Sequence, residues 1–324
     1  MSIMFLRKLI DPFEYLFWRM QISVLRACPP LSGMIAKASL GAGNSRSVWV
    51  KVLFLVIKQV PRAILLHWRN KDAHRIVLSR VTLPVTMRCT LNCDKCVAYI
   101  PDLKKQEDIP LNCLAQDIKS LFACVDHIYA INLSGGEAFL RYDLDEIIRI
   151  CAASGKVGDI NVETNGTVIP DERIVAALKN SGANVKISRY PLALQPDAEK
   201  LKSILKENEI PYTHASGTFW RDVGRPGQLQ SGSKERRFSV CIQQLCWTYF
   251  NGKLHRCPVS ATLFEEDFVS DCGKDYIDLH TICPAAFPDQ LRGILKKHAV
   301  SACAYCLGNT YNTPKIPVAV QREP

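Results

Sequence analysis

Residues 86–96 read TMRCTLNCDKC and bring Cys89, Cys93 and Cys96 into one short segment. Their spacing, Cys-x3-Cys-x2-Cys, places three thiolates on adjacent turns of a single loop. Such a loop can bind three irons of a 4Fe–4S cube and leave the fourth iron without a protein ligand. Because an iron of this kind can bind and activate another molecule, the loop is the first candidate for an active site.

Two strand-like runs lead into two motifs. Val81 to Met87 leads into the cysteine loop, and Ile128 to Leu133 leads into residues 134–137, which read SGGE. Over residues 80–215 these motifs, in this order, resemble those of the radical S-adenosylmethionine (SAM) superfamily. The fold, cofactors and chemistry of that family become expectations for this chain.

The resemblance implies SAM and a 4Fe–4S cluster as cofactors. In that family the open iron binds the amino and carboxylate groups of SAM, and one electron breaks the sulfonium into methionine and a 5'-deoxyadenosyl radical. The radical then abstracts a hydrogen atom from an unactivated substrate carbon. The expected electron donor is a flavodoxin or a ferredoxin.

Carried over to this chain, the resemblance assigns cluster ligands and SAM contacts. The cysteines of residues 89–96 would bind the cluster, and the glycine turn would contact the methionyl ammonium, because glycine allows close backbone approach. Further contacts are expected at two later strand ends, ETNG at 163–166 and KISR at 186–189. The expected cofactor-binding residues are Gly135, Gly136, Glu137, Asn165, Ser188 and Arg189.

One position departs from the family pattern. The residue before the last cysteine is usually aromatic and lies near the adenine, whereas this chain has Lys95 at that place. A nearby aromatic residue could take over the contact. We therefore predict that Tyr99 contacts the adenine of SAM.

A structural zinc site is the alternative interpretation of the first three cysteines. Zinc in such sites takes four nitrogen or sulfur ligands in closed tetrahedral geometry. The loop offers three cysteines, and Cys113 is the nearest further candidate. The SGGE and ETNG runs favour the iron–sulfur cluster, because a zinc site requires neither of them.

Length and composition are those of a globular enzyme. The chain has 324 residues, 48% of them hydrophobic, which suffices for one large domain and a smaller one. Acidic Asp11 and Glu14 interrupt the first apolar stretch, so we expect no secretory leader. The 14 cysteines then fit metal sites in a reducing cytoplasm better than disulfides.

The apolar pattern alternates helices and strands after the cysteine loop. Repeated β-α units imply a parallel sheet with helices outside, and ligands bind at the carboxyl ends of its strands. The predicted fold is α/β, a partial (β/α)6-type barrel, with Asp143 and Asp171 suited to helix N-termini. The predicted helices are Leu111–Cys124, Asp143–Ser154 and Asp171–Ser181, and the strands are Ile128–Leu133, Ile160–Thr164, Val185–Ser188 and Pro211–His214.

A second group of cysteines lies after residue 240. Residues 247–256, WTYFNGKLHR, predict a β-hairpin with a two-residue turn at Asn251 and Gly252, which both tolerate positive φ angles. Counting outward from the turn puts Cys246 opposite Cys257, with β-carbons about 4.5–5.5 Å apart. Such a pair can bridge one edge of a metal cluster.

Cys303 and Cys306 follow a helical run over Gln290–Ala299 and supply two more thiolates. Gly252-x4-Cys257 resembles the auxiliary-cluster extension called twitch, a shortened SPASM domain, and no cysteine follows Cys306. The resemblance therefore implies one auxiliary 4Fe–4S cluster, with a zinc-ribbon-like site as the alternative. Its expected ligands are Cys246, Cys257, Cys303 and Cys306.

Cys241 is not one of the four expected ligands of the auxiliary cluster. It can exchange with Cys246 as a ligand, act as a catalytic hydrogen-atom donor, or be buried as a small apolar side chain. Cys272 and Cys283 have no assignment.

Residues 1–80 carry the whole net charge, with thirteen Lys and Arg against three Asp and Glu. Within residues 47–69 the basic residues follow one line of a helix, with apolar residues around most of the rest. Such a helix can lie on an anionic membrane surface or cap the barrel with a solvated basic face. The segment has no nucleic-acid-binding motif, so nucleic acid is not an expected partner. The four basic residues are Lys51, Lys58, Arg62 and Arg69.

The sequence thus predicts three parts: a basic helical extension over 1–79, a barrel over 80–220 with its end as late as 240, and a cluster module over 241–324. The predicted function is hydrogen abstraction leading to dehydrogenation or epimerisation of a sugar or aminocyclitol. A SPASM-type peptide-modifying enzyme is the alternative, and an iron–sulfur electron carrier or structural metal protein is the non-enzymatic one. The expected location is the cytoplasm, with peripheral contact to the inner membrane surface through residues 47–69.

Overall fold

The computed structural model describes residues 75–215, 219–269, 275–310 and 312–323. The amphipathic helix predicted over 47–69 and most of the extension predicted over 1–79 lie outside the described residues. The helices are α1 (Leu111–Cys124), α2 (Leu144–Ala153), α3 (Glu172–Ser181), α4 (Ala198–Glu207), α5 (Lys234–Ser239), α6 (Pro258–Glu265) and α7 (Phe287–Lys296). The strands are β1 (Val77–Leu78), β2 (Val81–Thr86), β3 (His127–Gly135), β4 (Val157–Thr164), β5 (Asn184–Ile187), β6 (Tyr212–His214), β7 (Trp220–Arg221), β8 (Trp247–Phe250), β9 (Lys253–His255), β10 (Tyr276–Asp278) and β11 (Lys315–Ile316).

The main sheet is parallel through its centre, as the β-α pattern predicted. Strands β2 to β6 lie side by side in chain order, and α1 to α4 connect them. The hairpin of β8 and β9 joins the β2 edge, where β8 pairs in parallel with β2, and β10 then pairs antiparallel with β9. The fold is the predicted partial barrel, and the cysteine loop leaves the carboxyl end of its strand β2.

Apolar side chains from both faces of the sheet form the core. Strand β3 is buried over most of its length, as expected of a central parallel strand covered on both faces. Helix α1 packs its buried face against the sheet through Leu114, Ile118 and Leu121. None of the helices in the described ranges has the length and apolarity that a membrane span requires.

One of the two predicted helix caps is present. Asp171 accepts a hydrogen bond from Ile174 N at 2.9 Å at the start of α3. Asp143 makes no such bond to α2, because its carboxylate pairs with the buried Arg141 at 2.5 Å. An ion pair in the interior therefore replaces a cap.

The predicted hairpin turn is confirmed. Asn251 and Gly252 have φ angles of +48° and +73°, and Phe250 pairs with Lys253. A Cβ on Gly252 would lie 2.3 Å from the ring of His280, so packing as well as φ requires glycine here.

Candidate active site

The three cysteines of the first loop line one large cavity. Cys89, Cys93 and Cys96 face a space of about 370 Å³ at the carboxyl ends of the parallel strands. Cys93 is buried, and burial raises the pKa of its thiol to about 11. Cys89 accepts a hydrogen bond from Leu91 N at 3.5 Å. The loop therefore presents three closely grouped thiols to a cavity large enough for a bound molecule.

Gly135 and Gly136 line this cavity where the end of β3 meets the cysteine loop. Gly135 has φ +128°, and a Cβ there would lie 2.1 Å from Thr86 O. A Cβ on Gly136 would lie 2.1 Å from Arg88 O and 3.1 Å from the Cβ of Cys89. The close approach expected of these glycines is thus an approach to the cysteine loop itself, and any side chain would displace that loop.

Glu137 was expected to contact SAM as part of the glycine turn, and its side chain is not among those that line the cavity. The carboxylate is fully buried and accepts hydrogen bonds from Thr164 Oγ1 at 2.7 Å, Phe139 N at 3.0 Å and Asn165 N at 2.6 Å. Burial raises its pKa to about 6 because water no longer solvates the charged form. Glu137 therefore joins the end of β3 to the end of β4 and holds the backbone of Asn165.

Asn165 and Ser188 line the cavity, as their strand-end positions predicted. Asn165 Nδ2 donates to Thr90 Oγ1 at 3.0 Å and lies 3.6 Å from Cys89 Sγ. Ser188 N donates to Thr164 O at 2.9 Å, which continues the pairing of β4 with β5. Both residues are held next to the three thiols by the parallel sheet.

Two other expected SAM contacts lie elsewhere. Tyr99 is buried with φ +55° and belongs to a hydrophobic cluster with Val223 and Val259, against which Cys306 packs. Tyr99 is not among the residues that line the large cavity. Arg189 is exposed and is not part of the cavity wall. The contacts of these two residues with SAM stay predictions from the sequence.

The deep end of the large cavity is polar. Arg80, Asn132, Glu163 and Thr248 line it. Asn132 Nδ2 donates to Glu163 Oε1 at 2.9 Å, and Lys186 Nζ donates to Asn132 Oδ1 at 3.3 Å. Thr248 Oγ1 is buried and has no hydrogen-bond partner among the described residues. This polar floor can bind hydroxyl or charged groups of a second molecule beside the thiols.

Cys246 also lines the large cavity. Its Sγ accepts a hydrogen bond from Arg80 Nη1 at 3.4 Å. The predicted register of the hairpin is correct, but the β8–β9 pairing ends at Thr248 and His255. Contrary to the prediction, the structure does not bring Cys246 into the same cavity as Cys257.

Four other cysteines surround a second, smaller cavity of about 30 Å³. They are Cys241, Cys257, Cys303 and Cys306, so Cys241 takes the place expected for Cys246. Backbone N–H groups donate to three of the sulfurs at 3.2–3.3 Å. The surface facing this cavity is mostly apolar and comes from residues such as Val223, Phe238, Val259 and Ala302. Four polar residues also take part in the wall: Arg237, Gln243, Gln244 and Asn309.

Burial raises the pKa values of these four thiols. It raises the pKa of Cys303 to about 11 and that of Cys306 to about 12, and it raises the pKa values of Cys241 and Cys257 as well. Each thiol also lies near others of the set, which disfavours its thiolate further. Among the described residues no group of three or more His, Cys, Asp or Glu could hold a metal ion as the side chains stand.

The sequence profile of the radical SAM superfamily matches residues 83–213, the segment that contains the cysteine loop and strands β3 to β5. These residues form a radical SAM domain. The GTP 3',8-cyclase of Helicobacter pylori is 29% identical to this chain over 120 residues, which are 36% of this chain and 36% of that protein. GTP 3',8-cyclase 1 of Mycobacterium tuberculosis is 31% identical over 153 residues, 43% of this chain and 39% of that protein. The chain thus spans less than half the length of the curated relatives that it matches.

Solved structures with a similar arrangement include two with bound SAM. BtrN in complex with AdoMet and 2-DOIA is 13% identical, with a TM-score of 0.41, and the match covers 76% of this chain and 98% of BtrN. Native anSMEcpe with bound AdoMet and a Cp18Cys peptide is 16% identical, with a TM-score of 0.36, and the match covers 44% of each chain.

The type and number of donor groups in the radical SAM domain match those that a 4Fe–4S cluster and SAM require. Cys89, Cys93 and Cys96 supply three thiols and no fourth ligand from the loop, and the cavity beyond them extends past Gly136 and Asn165. A bound cluster would compensate the thiolate charges that burial disfavours in its absence.

The sequence analysis missed two residues of the large cavity and a third that holds Ser188 beside that cavity. Tyr190 and Trp220 line it, with ring centroids 5.7 Å apart in an edge-to-face contact. Gln195 is buried, and it donates to Ser188 O at 2.8 Å and accepts from Tyr190 N at 3.0 Å. An aromatic residue two places after Ser188 was a usable signal, whereas Gln195 lies in a loop without a recognisable motif.

Proposed function

We propose that this chain is a radical SAM enzyme that abstracts a hydrogen atom from a hydroxyl-rich small molecule of sugar or aminocyclitol type, with dehydrogenation or epimerisation as the outcome. One observation carries the proposal: a single cavity of about 370 Å³ contains the three loop thiols and, at its deep end, a polar floor. A cavity that serves only electron transfer has no use for such a floor.

The composition of the floor supports a polar substrate. Arg80 and Thr248 offer donors, and Glu163 offers an acceptor that Asn132 already orients. The Thr248 hydroxyl is buried and lacks a hydrogen-bond partner within the described part of the chain, a state that costs free energy. A sugar or cyclitol presents several hydroxyl groups at the spacing that such a floor can bind.

When bound, the cluster and SAM supply the 5'-deoxyadenosyl radical that starts the reaction. The protein's part is to hold its reaction partners at fixed distances and keep water out. Glu137 and Gln195 fix the ends of β4 and β5, so that Asn165 and Ser188 keep their places in the cavity wall. The floor then orients the substrate carbon toward the thiol end of the cavity.

We further propose one auxiliary 4Fe–4S cluster with Cys241, Cys257, Cys303 and Cys306 as ligands, in place of the predicted set with Cys246. The proposal is supported by the smaller cavity, because four thiols line it together with apolar side chains. Four protein ligands leave no open iron, so this cluster would accept an electron and not bind SAM. Dehydrogenation would use it to oxidise the substrate radical.

A purine nucleotide is the second candidate substrate. The favouring observation is the 31% identity over 153 residues to a protein named GTP 3',8-cyclase 1. The cation of Arg80 and the Lys186 ammonium behind Asn132 are compatible with a phosphate-bearing molecule. If GTP raises the rate of 5'-deoxyadenosine formation and aminocyclitols do not, this candidate replaces the first.

The test begins with protein purified without oxygen, reconstituted and reduced with dithionite or a flavodoxin. We expect about eight irons per chain, an electron paramagnetic resonance (EPR) spectrum that changes when SAM is added, and 5'-deoxyadenosine as a product. The control is a variant with Cys89, Cys93 and Cys96 all changed to alanine, which should retain about four irons and show no SAM response. An EPR spectrum of the wild type that ignores SAM would indicate an electron carrier or a structural metal protein and refute the proposal.

A further inference from the structure

A segment far along the chain crosses the cysteine loop of the radical SAM domain. Gln321 forms an isolated antiparallel bridge with Cys93. On either side of the bridge, Asp94 N donates to Val320 O at 2.8 Å and Arg322 N donates to Asn92 O at 2.8 Å. We call residues 319–323 the strap, because they cover the middle of the loop that presents the three thiols.

The side chain of Gln321 makes specific contacts with that loop. Its Oε1 accepts from Asn92 N at 2.8 Å, and its Nε2 donates to Cys93 Sγ at 3.3 Å. Nε2 also donates to Ala319 O at 2.7 Å, which fixes the orientation of the amide within the strap. The amide is therefore held with one N–H group directed at a cluster-ligand sulfur.

The strap is anchored on both sides of Gln321. Arg322 pairs with Asp102 at 2.7 Å and donates to Pro101 O at 3.3 Å. Before the strap, Lys315 pairs with Arg221 in the two-stranded sheet of β7 and β11. The donor thus comes from a backbone fixed at two places, which lowers the entropy cost of keeping the hydrogen bond.

We propose that Gln321 is a positioning residue that tunes the SAM-binding cluster, an inference that rests on the proposed function. Reduction adds negative charge to the cluster and its sulfur ligands, and an N–H donor at a sulfur stabilises that charge. The Gln321 amide therefore raises the reduction potential of the cluster and makes it easier to reduce. The strap also closes the loop around Cys93, which is 6% exposed.

The decisive variant is Gln321→Glu. Glutamate retains an acceptor for Asn92 N but replaces the donor to Cys93 Sγ with a negative oxygen. We expect a reduction potential more negative than that of the wild type, with the iron content unchanged. Gln321→Leu removes the donor without adding charge, and we expect a smaller shift in the same direction. Gln290→Glu, at an exposed position of helix α7 that lines neither thiol cavity, adds the same charge elsewhere and should leave the potential unchanged.

The measurement is a redox titration of the holoenzyme followed by EPR, using the signal that changes on addition of SAM. That signal separates the proposed function from the proposed role of Gln321. If the wild-type spectrum does not respond to SAM, the proposed function is refuted and the Gln321 variants are not needed. An unchanged potential in Gln321→Glu with full iron content would overturn the inference. A shift in Gln321→Glu with none in Gln321→Leu would assign the effect to charge and would also overturn the hydrogen-bond argument.

Discussion

The two thiol-lined cavities differ in what surrounds the sulfurs. Three cysteines face a space of about 370 Å³ that continues to polar side chains, whereas four cysteines enclose a space of about 30 Å³ among apolar ones. An open iron beside a roomy polar cavity can bind SAM and meet a substrate. A cluster with four protein ligands has no open iron and can only exchange electrons. Under the proposed function, the surroundings, more than the cysteines, would separate chemistry from electron transfer.

Removal of a cysteine from the larger cavity should have the largest effect. Cys96→Ala takes one of three thiols from the SAM-binding cluster, so we expect 5'-deoxyadenosine formation to fall more than about 1000-fold and about four of eight irons to be lost. Chromatography of the product and an iron assay measure both. Cys113→Ala, at an exposed cysteine, is the control, and SAM cleavage that survives in Cys96→Ala would contradict the assignment of the open cluster.

A pair of variants tests the ligand set proposed for the smaller cavity. Cys241→Ala should lose about four irons while the EPR response to SAM remains, because its sulfur belongs to the smaller cavity. Cys246→Ala should retain about eight irons, because its sulfur contacts Arg80 in the larger cavity. If Cys246→Ala lost about four irons and Cys241→Ala did not, Cys246 would be the ligand, as predicted from the sequence. The assignment of four ligands to the smaller cavity would then be wrong.

Strong local patterns allowed much of the fold to be predicted. Helix α1 begins and ends where its apolar spacing predicted, at Leu111 and Cys124. The turn at Asn251 and Gly252 is also local, since two adjacent residues decide it. The glycine turn and Asn165 lie in the cavity wall because parallel strands end at one edge of the sheet.

The errors arose where tertiary contacts outweigh local pattern. The hairpin register was correct, but it does not decide which way a residue beyond the last pair turns, and Cys246 turns toward Arg80. Tyr99 has a left-handed backbone with φ +55° and belongs to a hydrophobic cluster instead of lining the larger cavity. The contact of Gln321 with Cys93 joins residues far apart in sequence, and no short motif could have indicated it.

Substitutions at two separate glycines test how tightly the cysteine loop is held. Gly136→Ala would put a Cβ 2.1 Å from Arg88 O, so we expect a loss of about 1–3 kcal/mol in the free energy of unfolding and weaker retention of iron. Gly293→Ala, within helix α7 with no atom within 4 Å of the new Cβ, should stabilise the protein by up to about 1 kcal/mol. Urea unfolding of both variants measures the difference, and a Gly136→Ala protein as stable as the wild type would show that the loop can move aside.

A substitution of Glu137 should have the smallest effect, and it tests how the stability of the protein depends on pH. Its pKa rises from 4.5 to about 6 in the folded state. The folded state therefore binds more protons than the unfolded state between these values, and the free energy of unfolding should fall by about 1.3 kcal/mol as the pH rises from about 4.5 to 6. Glu137→Gln removes the titrating group and turns an N–H toward Asn165 N, so it should lack this decline, be less stable at pH 5, and raise the KM for SAM. Urea titrations of both metal-free proteins from pH 4.5 to 7 measure the slope. The same decline in Glu137→Gln would assign the titration to another group.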